Sequence, residues 1–342
     1  MSNNKYRGID LFCGIGGFRC AMDSLSVKTV FSSDIDKFAQ QTYCANFGDT
    51  PSGDIKQIAA SDIPDFDILT GGFPCQPFSF AGIKEGFNDE ARGTLFFDIL
   101  RILKEKRPKM FMLENVKGLK SHDKGRTLDI IQKSLIKLGY DIHWTILNSY
   151  DFGLPQYRER WYCVGFDKKV NFKFPVGTHR GVNLREIIDI DNNDSSLSLT
   201  QFEIDRIDYH FKNVTDDTPR VKHDNSKYDI NTKKGKHGVY SFQKADGSLR
   251  FHVGDVAKTQ IQEAFYCCLD TYSPTIIANR TPKLWDIKRR MSVDEARKLQ
   301  GFPDSFQFPV SSGQAYKQLG NAVAVPVVTE ILNKMIESYE QD

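Results

Sequence analysis

The sequence predicts an α/β protein built on a doubly wound, Rossmann-like sheet, and three observations carry that prediction. Apolar runs of strand length alternate with amphipathic helical patterns through residues 7–166. The first run, Arg7 to Phe12, opens into the glycine turn Cys13-Gly14-Ile15-Gly16-Gly17-Phe18 and then a helical stretch, Arg19 to Leu25. Strand, glycine turn and helix form the start of a nucleotide-type βαβ unit, where glycines let the backbone approach a ligand at a helix amino terminus. Two later runs end in chemically active residues. Asp67-Ile68-Leu69-Thr70 leads into Gly71-Gly72-Phe73-Pro74-Cys75-Gln76-Pro77, and Met110-Phe111-Met112-Leu113 leads into Glu114-Asn115-Val116. Open α/β sheets bind ligands at their carboxyl edge, so both groups belong there.

Bulk properties narrow the class. A chain of 342 residues suffices for one large or two ordinary domains, and 40% hydrophobic with 26% charged residues is a globular balance. Seven cysteines without a Cys-x-x-Cys pair suggest reduced thiols, with neither a disulfide framework nor a zinc knuckle, and no metal cluster is expected. The polar start Met1-Ser2-Asn3-Asn4-Lys5 lacks a signal peptide's apolar core, and no later segment reads as long enough to cross a bilayer, so the expected location is cytoplasmic. A net charge of +2 does not announce a nucleic-acid partner by itself; any basic face must be local.

Each element has its own warrant. The run Lys28 to Ser32 ends at Asp34-Ile35-Asp36, about 20 residues past the first glycine, where such folds place an acid on ribose hydroxyls. Asp34, nearest the strand end, is the better ribose ligand, and Asp36 reads as the cap of the helix Lys37 to Phe47. Gly53-Asp54-Ile55 sets another acid beside an apolar residue, either a turn or a contact to the same ligand. Pro74 and Pro77 fix φ on both sides of Cys75, which favours a thiol held in one place. Phe80 to Gly93, rich in glycine and charge, lacks periodicity and reads as a closing lid beside the thiol. Thr94 caps a helix from Leu95 to Lys106. Glu114 is either a capped or salt-bridged carboxylate or, with its pKa raised by burial, a proton carrier. Leu128, Ile131, Leu135 and Leu138 mark a further helix, followed by a strand from Tyr140 to Leu147. Gln156-Tyr157-Arg158-Glu159-Arg160-Trp161 alternates, setting Gln156, Arg158 and Arg160 on one face; the apolar run Tyr162 to Phe166 argues for a central strand rather than a solvated edge. Ser292-Val293-Asp294-Glu295 is a capping box for a helix from Val293 to Gln300, and a last helix starts near Pro326.

These residues resemble the bacterial DNA (cytosine-5)-methyltransferases of restriction-modification systems. The resemblance runs through Asp10-Leu11-Phe12-Cys13-Gly14-Ile15-Gly16-Gly17-Phe18, Gly72-Phe73-Pro74-Cys75-Gln76, Glu114-Asn115-Val116, Gln156-Tyr157-Arg158-Glu159-Arg160, Arg289 to Phe306 and Gln318-Leu319-Gly320-Asn321-Ala322-Val323. Only the stretch from about Val176 to Thr271 lacks a counterpart, and there the family carries its variable target-recognition domain. The resemblance implies a SAM-binding catalytic domain over residues 1–175, completed by about 312–342, and a small, mostly β or irregular recognition domain with its hinge over 176–311. It implies S-adenosylmethionine as methyl donor, S-adenosylhomocysteine as product, double-stranded DNA as partner and a flipped-out cytosine as target.

By the same resemblance the catalytic set is Cys75, Glu114, Arg158 and Arg160. Cys75 is the nucleophile on cytosine C6, Glu114 bonds N3 and the exocyclic amine, Arg160 bonds O2 and orients the carboxylate, and Arg158 supports them. Phe12, Gly14, Ile15, Gly17, Asp34, Ile35, Asp54, Ile55, Pro74, Leu95 and Asn321 are expected at the cofactor, Arg92 at a phosphate, and Thr275-Ile276 at the end of the recognition domain. Where the family often has a bulky aromatic, this chain has Ile35. The basic and aromatic residues between Lys212 and Lys258 are the expected phosphate-contacting face. A monomer, with a cognate restriction endonuclease acting on the same site, follows family precedent. Against this stand an RNA-directed relative, whose Cys-Phe-Thr signature Cys267-Cys268-Leu269 does not supply, and a catalytically inactive DNA-binding homologue, which would lack part of the catalytic set. A NAD-linked enzyme would leave the Pro-Cys-Gln turn unexplained.

Overall fold

The computed structural model describes residues 5–74, 95–177, 182–201, 203–205, 237–243, 249–255, 266–267, 269–270, 272–278, 282–284 and 286–342, the strands at 237–243 and 249–255 by their backbone. Cys75, the expected lid from Phe80 to Gly93 with Arg92, the cap Thr94, and most of the basic run between Lys212 and Lys258 lie outside the described residues.

A six-stranded sheet organises the rest. Its strands are β1 (Tyr6–Leu11), β2 (Val27–Ser33), β3 (Ile68–Gly72), β4 (Met110–Val116), β5 (Asp141–Asn148) and β7 (Glu159–Phe166), in the order β2-β1-β3-β4-β7-β5. The first four are mutually parallel, and β4 is buried through its first six residues, as a strand covered on both faces must be. Strand β7 departs from the parallel pattern: it inserts between β4 and β5 and runs antiparallel to both. Its amino end therefore reaches the edge where β3 and β4 have their carboxyl ends. Trp161 is fully buried because a central strand has two covered faces.

Helices α1 (Gly17–Ser24), α2 (Lys37–Phe47), α3 (Leu95–Lys106) and α4 (Arg126–Lys137) follow the first four strands. Helix α2 begins as expected: the Asp36 carboxylate accepts the amides of Phe38 and Ala39. Helix α5 (Val293–Leu299) carries the full capping box of Ser292 and Glu295. Helix α6 (Ser312–Asn321) has no counterpart in the sequence reading, and α7 (Val325–Gln341) starts with proline in its first turn. One face of α7 buries Val328, Ile331, Leu332 and Met335 in a cluster with Phe18, Met22, Met112 and Val164. The end of the chain thus completes the first half of the fold. The stretch Ser312–Gln341 reaches a membrane span's length and apolarity only when counted whole; it is broken at 322–324 into α6 and α7, and 56% of its apolar window is buried inside the protein.

The intervening part is built of short strands. β8 (His237–Gln243) and β9 (Leu249–Asp255) form an antiparallel ladder, while β10 (Tyr266–Cys267), β12 (Lys283–Leu284) and β13 (Arg289–Arg290) form a small mixed sheet. β11 (Ser273–Pro274) pairs with β6 (Gln156–Tyr157) in a separate two-stranded sheet, which brings the chain back beside the segment that leads into β7. Leu184, Leu269, Leu284, Met291 and Phe302 share one cluster with Ile15 and Ala39, so this part packs against the glycine turn.

Candidate active site

A cleft of about 680 Å³ opens along the carboxyl edge of β1 to β4. Its glycine-turn end follows from backbone geometry. Phe12 sits at φ 56°, an uncommon conformation for a residue with a side chain, and turns the chain out of β1. Gly14 also has a positive φ, and a Cβ built on it would meet nothing within 4 Å: its bare face looks into open space. Asp34 closes the turn, accepting the Gly14 amide and the Asp36 amide at 2.8 Å each on its two carboxylate oxygens. Burial raises Asp34 and those amides oppose the rise. Beside it Ile35 is 71% exposed, an apolar surface left for a ligand. Asp54 caps the short turn Ile55–Gln57 through the Lys56 amide, so it has a turn role while lining the cleft. Arg101 of α3 holds that turn from behind, donating to the carbonyls of Ile55 and Ile58.

The other end is electrostatic. Val116 of β4 lies opposite Arg160 of β7, and Arg160 Nε reaches Glu114 Oε1 at 3.1 Å. Glu114 is 8% exposed. Burial pushes its carboxyl above the usual range, and Arg160 and Arg158 pull the other way. Asn115 donates to the Phe73 carbonyl at 2.9 Å, which tethers the backbone just before Pro74 and Cys75.

Arg158, expected in the catalytic set, is 2% exposed, and its guanidinium donates to the carbonyls of Ile276, Gly320 and Ala322 at 2.9, 3.2 and 2.7 Å. Burial and the neighbouring Arg160 lower it to about 9, still protonated at neutral pH. It borders the cleft as a tie between walls. Gln156 and Gln300 extend the junction: Gln156 accepts the Ile276 amide and donates to Gln300, and Gln300 donates to the carbonyls of Leu319 and Ala322. Thr275 donates its hydroxyl to the Tyr157 carbonyl.

Phe12, Gly14, Ile15, Gly17, Asp34, Ile35, Asp54, Ile55, Pro74, Leu95 and Asn321 all line this one cleft, with Glu114, Arg158 and Arg160. Cys75 lies outside the described residues, one residue beyond Pro74 at the cleft wall. Sequence reasoning missed the side chains that position others: Asn115, Arg101, Gln300 and Lys317. The capping pattern Ser311-x-x-Gln314 could have revealed α6, which carries Lys317.

Known proteins share this chain's sequence and fold over nearly its whole length. A family model described as C-5 cytosine-specific DNA methylase matches residues 6–337. Type II methyltransferase M1.ScrFI of Lactococcus lactis subsp. cremoris is 43% identical, across 98% of this chain and 79% of its own. Type II methyltransferase M.SsoII of Shigella sonnei is 42% identical, across 99% of this chain and 82% of its own. Among solved structures, the Dnmt2 methyltransferase of S. pombe superposes with a TM-score of 0.67 at 19% identity, covering 97% of this chain and 99% of that one, a likeness of fold.

Proposed function

Starting from the fact that this chain belongs to the C-5 cytosine-specific DNA methylase family, we propose that its cleft transfers the methyl group of S-adenosylmethionine to C5 of a cytosine turned out of double-stranded DNA. The observation that carries the proposal is the Glu114–Arg160 pair, set in the same cleft as the glycine turn and Asp34. The cofactor fits the residues present. Gly14 leaves backbone room, Asp34 offers carboxylate lone pairs for a ribose diol, and Phe12, Ile15, Ile35, Ile55 and Leu95 give apolar walls for adenine and a methionine chain. When bound, S-adenosylmethionine supplies an electrophilic methyl group.

In this mechanism the Cys75 thiolate forms a bond to cytosine C6, and the ring electrons move to C5. Glu114, its carboxyl pushed above the usual range by burial, hydrogen-bonds N3 and the exocyclic amine and steadies the ring as charge develops there. Arg160 binds O2 and holds the carboxyl in line. Asn115 fixes the backbone that delivers Cys75, and Arg158 is a positioning residue for the walls. After methyl transfer C5 loses its proton to a base, the ring electrons return, and the C6–S bond breaks, freeing Cys75. Unstacking the target costs a few kcal/mol, which contacts to the flipped strand offset.

We assign residues 1–175 with about 312–342 to catalysis and 176–311 to target recognition and the hinge, with a monomer working in the cytoplasm beside a cognate endonuclease of the same specificity. The relatives at about 40% identity are named Type II methyltransferases, which favours DNA over RNA. The test is incubation with S-adenosylmethionine and a complex DNA library, followed by base-resolution mapping of 5-methylcytosine. Methylation confined to one short motif supports the proposal; methyl transfer to a tRNA pool alone, or none at all, overturns it.

A further inference from the structure

The cleft wall contributed by α6 contains a cation that the reaction does not use. Lys317 lines the cleft and places Nζ 2.8 Å from Asp36 Oδ2. Asp36 is itself a junction. Its Oδ1 caps α2 through Phe38 and Ala39, and its own backbone amide donates to Asp34 Oδ1. Asp34 in turn holds the Gly14 amide with its other oxygen. Lys317, Asp36, Asp34 and Gly14 thus form one continuous chain of polar contacts from α6 to the glycine turn.

We propose that Lys317 is a positioning residue for the methyl donor, setting the β2–α2 loop so that Asp34 faces the ribose and exposed Ile35 flanks the base. This rests on the proposed cofactor site and deepens it. Other polar ties between α2 and the carboxyl-terminal segment among the described residues do not touch that loop: Thr42 donates to Gln318 Oε1 at 2.9 Å, and Asn46 exchanges two bonds with the backbone of Gln307. They anchor the middle and end of α2 without Lys317. Gln40 Nε2 and the Ser52 carbonyl still hold the Asp34 backbone, so loss of the ammonium loosens the Asp36 end of the loop while the helix stays docked. A carboxylate facing no cation leaves two acids, Asp34 and Asp36, next to each other at the pocket, and their repulsion adds to the misplacement.

The experiment measures S-adenosylhomocysteine affinity by calorimetry on the full chain, with methyl-transfer kinetics and melting beside it. Lys317→Met keeps the stem and removes the charge. A part-exposed ion pair of this kind sets the scale, so Kd should rise about three- to fivefold while kcat at saturating methyl donor changes less than twofold. Lys317→Arg should restore most of the affinity. Raising salt should weaken binding in the wild type and leave Lys317→Met unchanged. Asp36→Asn should raise Kd alike, and adding Lys317→Met to it should cost little more. Unchanged Kd in Lys317→Met, or loss of kcat without loss of affinity, overturns the inference. Absence of S-adenosylhomocysteine binding by the wild type overturns the proposed function and this inference with it.

Discussion

Glu114 needs opposite things from its surroundings. Burial favours the neutral carboxyl that can hydrogen-bond a cytosine nitrogen, and Arg160 at 3.1 Å keeps that preference from becoming permanent. Because the pKa is raised, the protonated form persists to higher pH, and turnover should fall as pH rises past it. Glu114→Gln should lower kcat about 10²- to 10⁴-fold and remove that alkaline limb, read from pH–rate profiles. Arg160→Ala leaves the buried carboxyl without its cation, so it should depress the chemical step far more than it weakens salt-sensitive DNA binding. Cys75→Ser should abolish methylation while duplex binding survives. Asp10 is a different case. It is fully buried, accepts from the Thr70 hydroxyl, and is raised by burial to about 8 against that bond. The folded protein then holds a proton that the unfolded chain gives up near pH 4. Its contribution is complete below that pH and is lost as pH climbs towards about 8, at up to about 1.4 kcal/mol per pH unit. Asp10→Asn should flatten this slope in denaturant titrations. At this scale the cap was legible: Asp36 read as the start of α2 because capping chemistry is local, whereas the bond from Asp34 to the Gly14 amide, 20 residues away, has no local sign. The fate of Arg158 was not. Its three carbonyl partners come from residues 276, 320 and 322, and no neighbouring pattern encodes them.

Among the elements, α6 and β7 mark where local reading stops. Helix α6 carries Gly313 and Gly320 and few apolar residues, so its periodicity is weak; packing of Ala315 and Leu319 makes the helix. Gly320 has a reason in space, since a Cβ there would sit 2.3 Å from the backbone of Ile277 and Ala278. Gly320→Ala should push α6 off that segment, costing about 1–3 kcal/mol and weakening S-adenosylhomocysteine binding, as melting and calorimetry would record. At α5, Ser292→Ala removes one half of the capping box and should cost about 1 kcal/mol. Strand β7 is apolar enough to be recognised as a central strand, yet nothing within it says that it runs against its neighbours. That reversal joins Arg160 to Glu114, a contact that the family resemblance implied and that the local pattern of neither strand encodes.

Over the whole molecule, the chain returns to where it began. Helix α7 packs on α1 and on the back of the sheet, and Lys5 pairs with Glu340. A chain ending at 311 would leave Phe18, Met22 and Met112 uncovered, and it should show no cooperative melting transition. The two walls of the cleft are also far apart in time. The glycine turn at residues 13–17 leaves the ribosome early, whereas Lys317 and Asn321 are made about 300 residues later. Synthesis runs at roughly 5–20 residues per second, so the nascent amino-terminal half waits, without its methyl-donor pocket, for the carboxyl end. A chain stopped before α6 would carry the glycine turn and Asp34 without the wall formed by Lys317 and Asn321, and it should bind no S-adenosylhomocysteine.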